Sequence, residues 1–421
     1  MKDRFSFARS SRRDLLRAGM YGVCVSVGAG IPVPVFGQAA AALAAQGQAD
    51  GKILVVLELS GGNDGLNTLI PYADDAYYKH RPTLGIPKKE VRAIDAHFGF
   101  SAGMAGFERL YKDGKLAIVH GCGYENPSFS HFTSMAYWHT AAPNSGEEYG
   151  WVGRLADAMA PPPPNRPVPP NYLVNIGARQ SLAVRSRMHV PVVFDDPNKF
   201  TQEKFYEERP VLESLPENGN IENPSRRFLL DTARSARDAS TLVREAWAKY
   251  RSPVDYGIVS LDLPKVAALI AAGMPTRLYY TSYRNNAFDT HVFQNDTHKR
   301  LLTYAADSVS AFLRDLDRIG RAEDVVVMVF SEFGRRVPEN VNPGTDHGTA
   351  NLLFVAGNPV KGGHYGAVPS LTKLDAGDNL IYTTDFRRVY ATMISGWLGY
   401  RDTKQMPRGD FEAFDLFRPR V

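Results

Sequence analysis

Cysteine is almost absent from this chain: Cys24 and Cys122 are the only two in 421 residues. Cys24 falls in a stretch that reads as a removable leader, which leaves Cys122 alone and excludes an internal disulfide in the mature chain. Long apolar runs are also missing. Nothing beyond the N-terminal region approaches 18 consecutive apolar residues, so no stable membrane span is expected. Net charge is a third absence. The formal +4 arises in residues 1–49, which hold six Lys/Arg and two acids; the rest balances at 43 basic and 43 acidic residues. A neutral body offers no electrostatic footprint for nucleic acid or an anionic membrane surface. Internal repeats are lacking as well. The remaining composition, 44% hydrophobic and 22% charged, is that of a globular chain able to bury a sizeable core.

The N-terminus carries a targeting pattern. Ser11-Arg12-Arg13-Asp14-Leu15-Leu16-Arg17 has the form of a twin-arginine export signal, followed by a weakly apolar stretch from Ala18 to about Phe36. The Ala-rich run Ala39–Ala45 supplies small residues for signal-peptidase cleavage. Residues 1–45 are therefore expected to be a signal peptide and residues 50–421 a single domain, periplasmic or secreted. The twin-arginine translocase and signal peptidase would be its partners during export. The competing reading is a basic tail before an apolar helix; Pro32 and Pro34 argue against a permanent span. Tyr21-Gly22-Val23 before Cys24 is a poor lipid-attachment box. Export of already folded chains suits proteins that take up a metal first.

Along the remainder, short apolar runs alternate with helical periodicity. Ile53–Leu59, Leu116–His120, Tyr172–Ile176, Val192–Phe194, Leu278–Thr281, Val325–Phe330 and Leu352–Val355 are predicted strands. Helices are predicted over 131–140, 226–250, 296–319 and 385–398, with Gly320 ending the third. This alternation predicts an α/β fold with a mostly parallel central sheet and helices on both faces. The prolines of 161–164 and 167–170 read as a surface loop.

Four motifs stand at predicted strand ends, where open α/β sheets bind ligands. Gly61-Gly62-Asn63-Asp64-Gly65 follows the first strand; turn chemistry alone would explain it, or Asp64 projects into a site. Ser128-Phe129-Ser130-His131 opens a helix, where Ser130 is either an N-cap or a nucleophile beside a positive helix end. Asp289-Thr290-His291 places an acid and an imidazole two apart, facing the same way in extended chain and able to share an ion unless Asp289 only caps a turn. Ser331-Glu332-Phe333-Gly334-Arg335 and Gly344-Thr345-Asp346-His347-Gly348 complete the set. Glu332 ends a buried strand, so it pairs either with a metal or with Arg335 in a structural ion pair. Arg335 could instead neutralise a substrate oxyanion. His364, between glycines, is a weaker candidate; His80, His97, His139, His189 and His298 read as surface or core histidines.

In this order the motifs resemble the bacterial exported family known as domain of unknown function 1501, which is related in pattern to the alkaline phosphatase and sulfatase superfamily. The resemblance implies an alkaline-phosphatase-like fold. It also implies a site for one or two divalent ions, zinc or manganese, with Asp64, Asp289, His291, Glu332, Asp346 and His347 as the metal set. The Asp289–His291 spacing is shorter than usual, and Phe333 stands where the superfamily has a histidine, which puts a second ion in question. Ser130 matches the nucleophile, His131 a proton donor to the leaving group and Arg335 an oxyanion stabiliser. The implied activity is hydrolysis of a phosphate or sulfate ester, small or polymeric. The alternative is a catalytically degenerate metal-binding envelope protein with a binding or assembly role.

Overall fold

A computed structural model describes residues 51–161, 171–200, 238–404 and 406–419. The segment read as a signal peptide, most of the proline-rich stretch 161–170 and the first half of the helix predicted over 226–250 lie outside the described residues; the later part of that helix is helical over 238–249.

In chain order the strands are β1 (Ile53–Leu59), β2 (Leu69–Ile70), β3 (Arg92–Ala93), β4 (Gly99–Phe100), β5 (Leu116–Gly123) and β6 (Leu173–Ile176). They continue as β7 (Val192–Phe194), β8 (Leu278–Tyr283), β9 (Val325–Phe330), β10 (Asn351–Ala356), β11 (Gly363–Tyr365) and β12 (Thr384–Asp385). Named helices are α1 (Gly65–Thr68), α2 (Asp75–His80), α3 (Ala105–Lys112) and α4 (His131–Thr140), then α5 (Trp151–Met159), α6 (Leu263–Ala271), α7 (Gln294–Arg318) and α8 (Arg387–Ala391). The main sheet runs β11-β5-β10-β9-β1-β8-β6-β7, with β12 beside β5, while β2, β4 and β3 form a small separate sheet.

β1 and β9 are buried along their whole length, as β-branched and aliphatic runs covered on both faces must be. Alternation along β1 splits the core. Val55 and Leu57 pack with Phe107 of α3, Val266 of α6 and Val309, Phe312 and Leu316 of α7. Leu54 and Val56 pack with Trp138 of α4, Trp151 and Leu155 of α5 and Tyr390 of α8. The sheet is thus mostly parallel with helices on both faces, as the alternation predicts. Among the described residues no helix is long and apolar enough to cross a membrane.

One reversed strand decides where function can sit. β10 is antiparallel to both β9 and β5, whereas β1, β8 and β9 run parallel. The carboxyl ends of β1, β5, β8 and β9 therefore share one edge, and the loop entering β10 reaches the same edge from the opposite direction. All four sequence motifs, including Asp346-His347 before β10, converge there.

Phe312 is fully buried in the α7 face of the core. Phe312→Ala should cost about 3–5 kcal/mol in denaturant unfolding, whereas Leu242→Ala, on an exposed helical position, should change stability by less than about 0.5 kcal/mol.

Candidate metal centre

The turn after β1 is built on backbone that other residues resist. Gly61 has φ 118° and a Cβ there would lie 2.6 Å from Asp289 N; Gly62 has φ 72° and its Cβ would lie 2.2 Å from the Phe333 ring. The missing side chains let the loops after β8 and β9 close onto the turn. Arg335 fastens them. Its Nε donates to Gly62 O at 2.6 Å, Nη1 to Thr345 O at 3.0 Å, and Nη2 to Phe288 O at 3.1 Å and to Gly61 O. Nη2 also holds Asp289 Oδ1 at 2.8 Å.

Three imidazoles converge on that Asp289 carboxylate. His291 Nε2 lies 2.9 Å and His347 Nε2 3.1 Å from Oδ1, and the two nitrogens are 3.0 Å apart. His131 Nε2 lies 3.3 Å from Oδ2, yet it is buried and without a hydrogen-bond partner. The opposite nitrogen of each ring faces an acceptor. His131 Nδ1 donates to Glu332 Oε1 at 2.8 Å and His347 Nδ1 to Phe129 O at 2.7 Å, while His291 Nδ1 is 3.5 Å from Asp346 Oδ1. Those partners assign the ring protons to Nδ1 and leave the Nε2 lone pairs turned towards an ionised carboxylate. Lone pairs and an anion repel unless a cation lies between them. An imidazole whose far nitrogen is held by a carboxylate or carbonyl is the arrangement found behind metal-bound histidines.

The electrostatics agree. Partial burial pushes the Asp289 carboxyl up, but Arg335 and His347 outweigh it and hold it at about 2. The Glu332 hydrogen bond keeps His131 above its ordinary value against the pull of burial, and burial keeps His347 below its own. Among the described residues His131, Asp289 and His347 form a group able to hold an ion, and His291 Nε2 reaches the same carboxylate oxygen.

The other residues singled out in the sequence take different places. Glu332 is buried behind His131, accepting from Gly61 N at 2.9 Å and from Ser331 Oγ at 3.0 Å, so it positions rather than joins the cluster. Asp346 stands behind His291 and accepts from Asn340 Nδ2 at 3.1 Å. Ser130 is exposed and N-caps α4, its Oγ 3.5 Å from Thr133 N. Arg335 is 2% exposed and gives most of its donors to protein oxygens, so its first role is to hold the loops together. The structure does not bring Asp64 to the cluster. Its carboxylate caps α1 at Leu66 N, pairs with Arg81 Nη1 at 2.6 Å and accepts from Gln294 Nε2 at 2.5 Å. Sequence reading missed Arg81 and placed Gln294 near Asp289 without giving it a role. Gln294 Oε1 in turn accepts from Thr290 and Thr345, tying together the loops that carry Asp289 and His347. Phe333 packs its ring 5.0 Å from His131 and 4.7 Å from His347.

Comparison with known proteins places the chain. The family model described as protein of unknown function (DUF1501) matches residues 51–394. The chain belongs to that family. No curated protein matches it significantly. Among solved structures, this DUF1501 chain is similar to the PsFucS1 sulfatase from Pseudoalteromonas sp., with 11% identity and TM-score 0.39 over 91% of this chain and 75% of that one. The lipoteichoic acid synthase LtaP from Listeria monocytogenes gives 12% identity and TM-score 0.35 over 81% and 76%. The C-terminal periplasmic domain of EcEptC from Escherichia coli, in complex with Zn, gives 10% and 0.32 over 73% of each. Likeness this loose implies no activity.

Burial pushes the Asp64 carboxyl up, but the Arg81 guanidinium beside it prevails and holds it below its ordinary 3.8. A carboxyl depressed in the folded state stabilises above its unfolded pKa and loses that contribution as pH falls through the folded one. Arg81→Met should therefore cost about 3–5 kcal/mol at neutral pH by stranding a buried charge. The stability gap between the parent and Asp64→Asn should narrow below about pH 4. Denaturant midpoints across pH check both.

Proposed function

We propose that this DUF1501 member is an exported hydrolase of phosphate or sulfate esters that works with a divalent ion, zinc foremost. One observation carries the reading: three Nε2 lone pairs and the Asp289 carboxylate point at one spot while their outer atoms are fixed by Glu332, Phe129 O and Asp346. His131, His291, His347 and Asp289 would hold the ion. Three imidazoles and one carboxylate suit zinc better than manganese, which favours oxygen ligands. A divalent ion held there supplies Lewis-acid polarisation of an ester oxygen and acidifies water at neutral pH.

The chain's own groups would do the rest. Glu332, held by Gly61 N and Ser331, keeps His131 turned inward. Arg335 fixes Asp289 and keeps it ionised. The N-terminal end of α4, ten residues long, presents its positive end beside the cluster, with the exposed Ser130 hydroxyl or a water as nucleophile. The exposed rings of Phe129, Phe132 and Phe293, adjacent in sequence to His131 and His291, offer a surface for the organic part of the ester. Residues 1–45, with Arg12-Arg13, would direct export.

A specific observation favours a second reading, a metal-binding envelope protein without catalysis. Phe333 walls the cluster where another ligand would stand, and Arg335 gives four of its five N–H groups to protein oxygens.

Elemental analysis of the purified exported protein should give about one equivalent of zinc, lost in Asp289→Asn/His347→Ala. Glu332→Gln should bind zinc roughly 10–100-fold more weakly while keeping the fold. Hydrolysis of 4-nitrophenyl phosphate or sulfate that vanishes with the metal supports the hydrolase; stoichiometric metal without turnover supports the binding role. Absence of metal from the parent protein overturns both. Separately, Arg12→Lys/Arg13→Lys should leave uncleaved precursor in the cytoplasm, checked by N-terminal sequencing and fractionation.

A further inference from the structure

A second cluster of titratable groups lies outside the metal centre. His120 sits near the end of β5 and is 2% exposed. Pairing with β10 slips there: Val119 faces Leu353 and Cys122 faces Asn351, so β5 carries one extra residue around His120-Gly121. Gly121 has φ 60°, and a Cβ on it would lie 2.0 Å from Thr383 Oγ1. Such bulges recur beside sites. His120 keeps the face of Leu116 and Ile118, towards His364 of the edge strand β11, while the extra residue brings Cys122 to the face of Val119.

The two rings stack, centroids 5.0 Å apart, and His120 Nε2 is 2.7 Å from His364 Nδ1. His364 Nε2 is 2.9 Å from Asp95 Oδ2, within hydrogen-bond reach but off the line of the ring N–H. Phe98 packs against both rings and Tyr111 against His364. The carboxylate draws the His364 proton to Nε2, so Nδ1 accepts from His120 Nε2–H. His120 Nδ1 is then left as a bare acceptor, and no described residue hydrogen-bonds it. Burial keeps the ring neutral, with its pKa pushed down to about 4.

His120 lines a cavity of about 690 Å³, within the usual size for small-molecule sites. Its other walls are largely apolar, among them Leu66, Leu69, Phe98, Val368 and Leu380. Arg335 also lines it, but its charge is paired with Asp289 and its donors go largely to backbone carbonyls, and His97 stands at an exposed position, so an anion inside would find no dedicated counter-charge. Asp74 and Asp75 stand at exposed positions where water screens them. The chemistry left is an apolar body with one group that donates to an imidazole nitrogen.

We propose that this cavity binds an aromatic or alicyclic alcohol, its hydroxyl donating to His120 Nδ1 and its ring lying against the apolar walls. The site is independent of the ester-hydrolase reading, because none of its contacts is a candidate metal ligand.

Calorimetric titration of the full mature chain with 4-ethylphenol tests this. Saturable one-to-one binding is expected, with ethylbenzene at least roughly tenfold weaker for want of the hydroxyl. His120→Phe should bind the two probes alike. Val368→Trp, at a position 52% exposed on the cavity wall, should abolish binding without disturbing the core. Should His120→Phe fail to fold, the ethylbenzene comparison and Val368→Trp still decide. No saturable binding of 4-ethylphenol, equal affinity for both probes in the parent protein, or unchanged affinity in Val368→Trp would overturn the assignment.

Discussion

Arg335 is the tie on which the site depends. Its acceptors come from three separate places: Gly61 and Gly62 after β1, Phe288 and Asp289 after β8, and Thr345 before β10. Arg335 itself follows β9, so four chain segments meet on one planar cation. Only a guanidinium can do this, because its five N–H groups leave a rigid plane in fixed directions. A lysine would offer three donors from one point. The carbonyls of a tight glycine turn would otherwise be buried without partners, a cost the arginine removes. The same contact that closes the loops also sets the position and ionisation of Asp289. Structure and chemistry therefore rest on a single side chain.

Charge explains why the cluster around Asp289 suits a cation. Asp289 and the buried Glu332 bring two negative charges near the one positive charge of Arg335. Glu332 spends its oxygens on Gly61 N, Ser331 and His131 Nδ1. What remains is an excess of electron pairs at the three Nε2 atoms. A proton would relieve one of them; a divalent ion would relieve all at once. The rings are already held by their far nitrogens, so binding would demand little further ordering.

Much of this was legible in the sequence. The strands at Ile53–Leu59, Val192–Phe194 and Val325–Phe330 lie where uninterrupted β-branched runs put them, and Gly320 stops α7 one residue past its C-cap. Loop motifs at strand ends were legible because a parallel sheet gathers them whatever their spacing. What sequence could not supply was the direction of each side chain. Asp64 sits five residues past the end of β1, at the right edge, yet its carboxylate turns into α1 and meets Arg81 seventeen residues on. Glu332 and Asp346 have the residue type of ligands but stand one layer behind the histidines. That distinction is set by ångström-scale placement of loops that Arg335, Gln294, Asn340 and Asn351 fix. His120 gave no warning either, since one histidine in an apolar strand looks like core until the fold brings His364 beside it.

Phe333 and Gly62 form a pair that limits the centre's chemistry. The ring lies where a Gly62 Cβ would be, and it presses on both His131 and His347. An apolar wall there leaves no donor on that flank for a second ion, and it lowers the local polarity against which a charge would develop. Lower polarity strengthens every remaining electrostatic contact. With Arg335 largely committed to protein oxygens, a developing oxyanion would look first to the centre itself and to the amino end of α4. The Gly62–Phe333 pair therefore bears on both readings of the site. It narrows catalysis to one ion and one helix end, and it would serve a binding protein equally well by keeping water from the histidines.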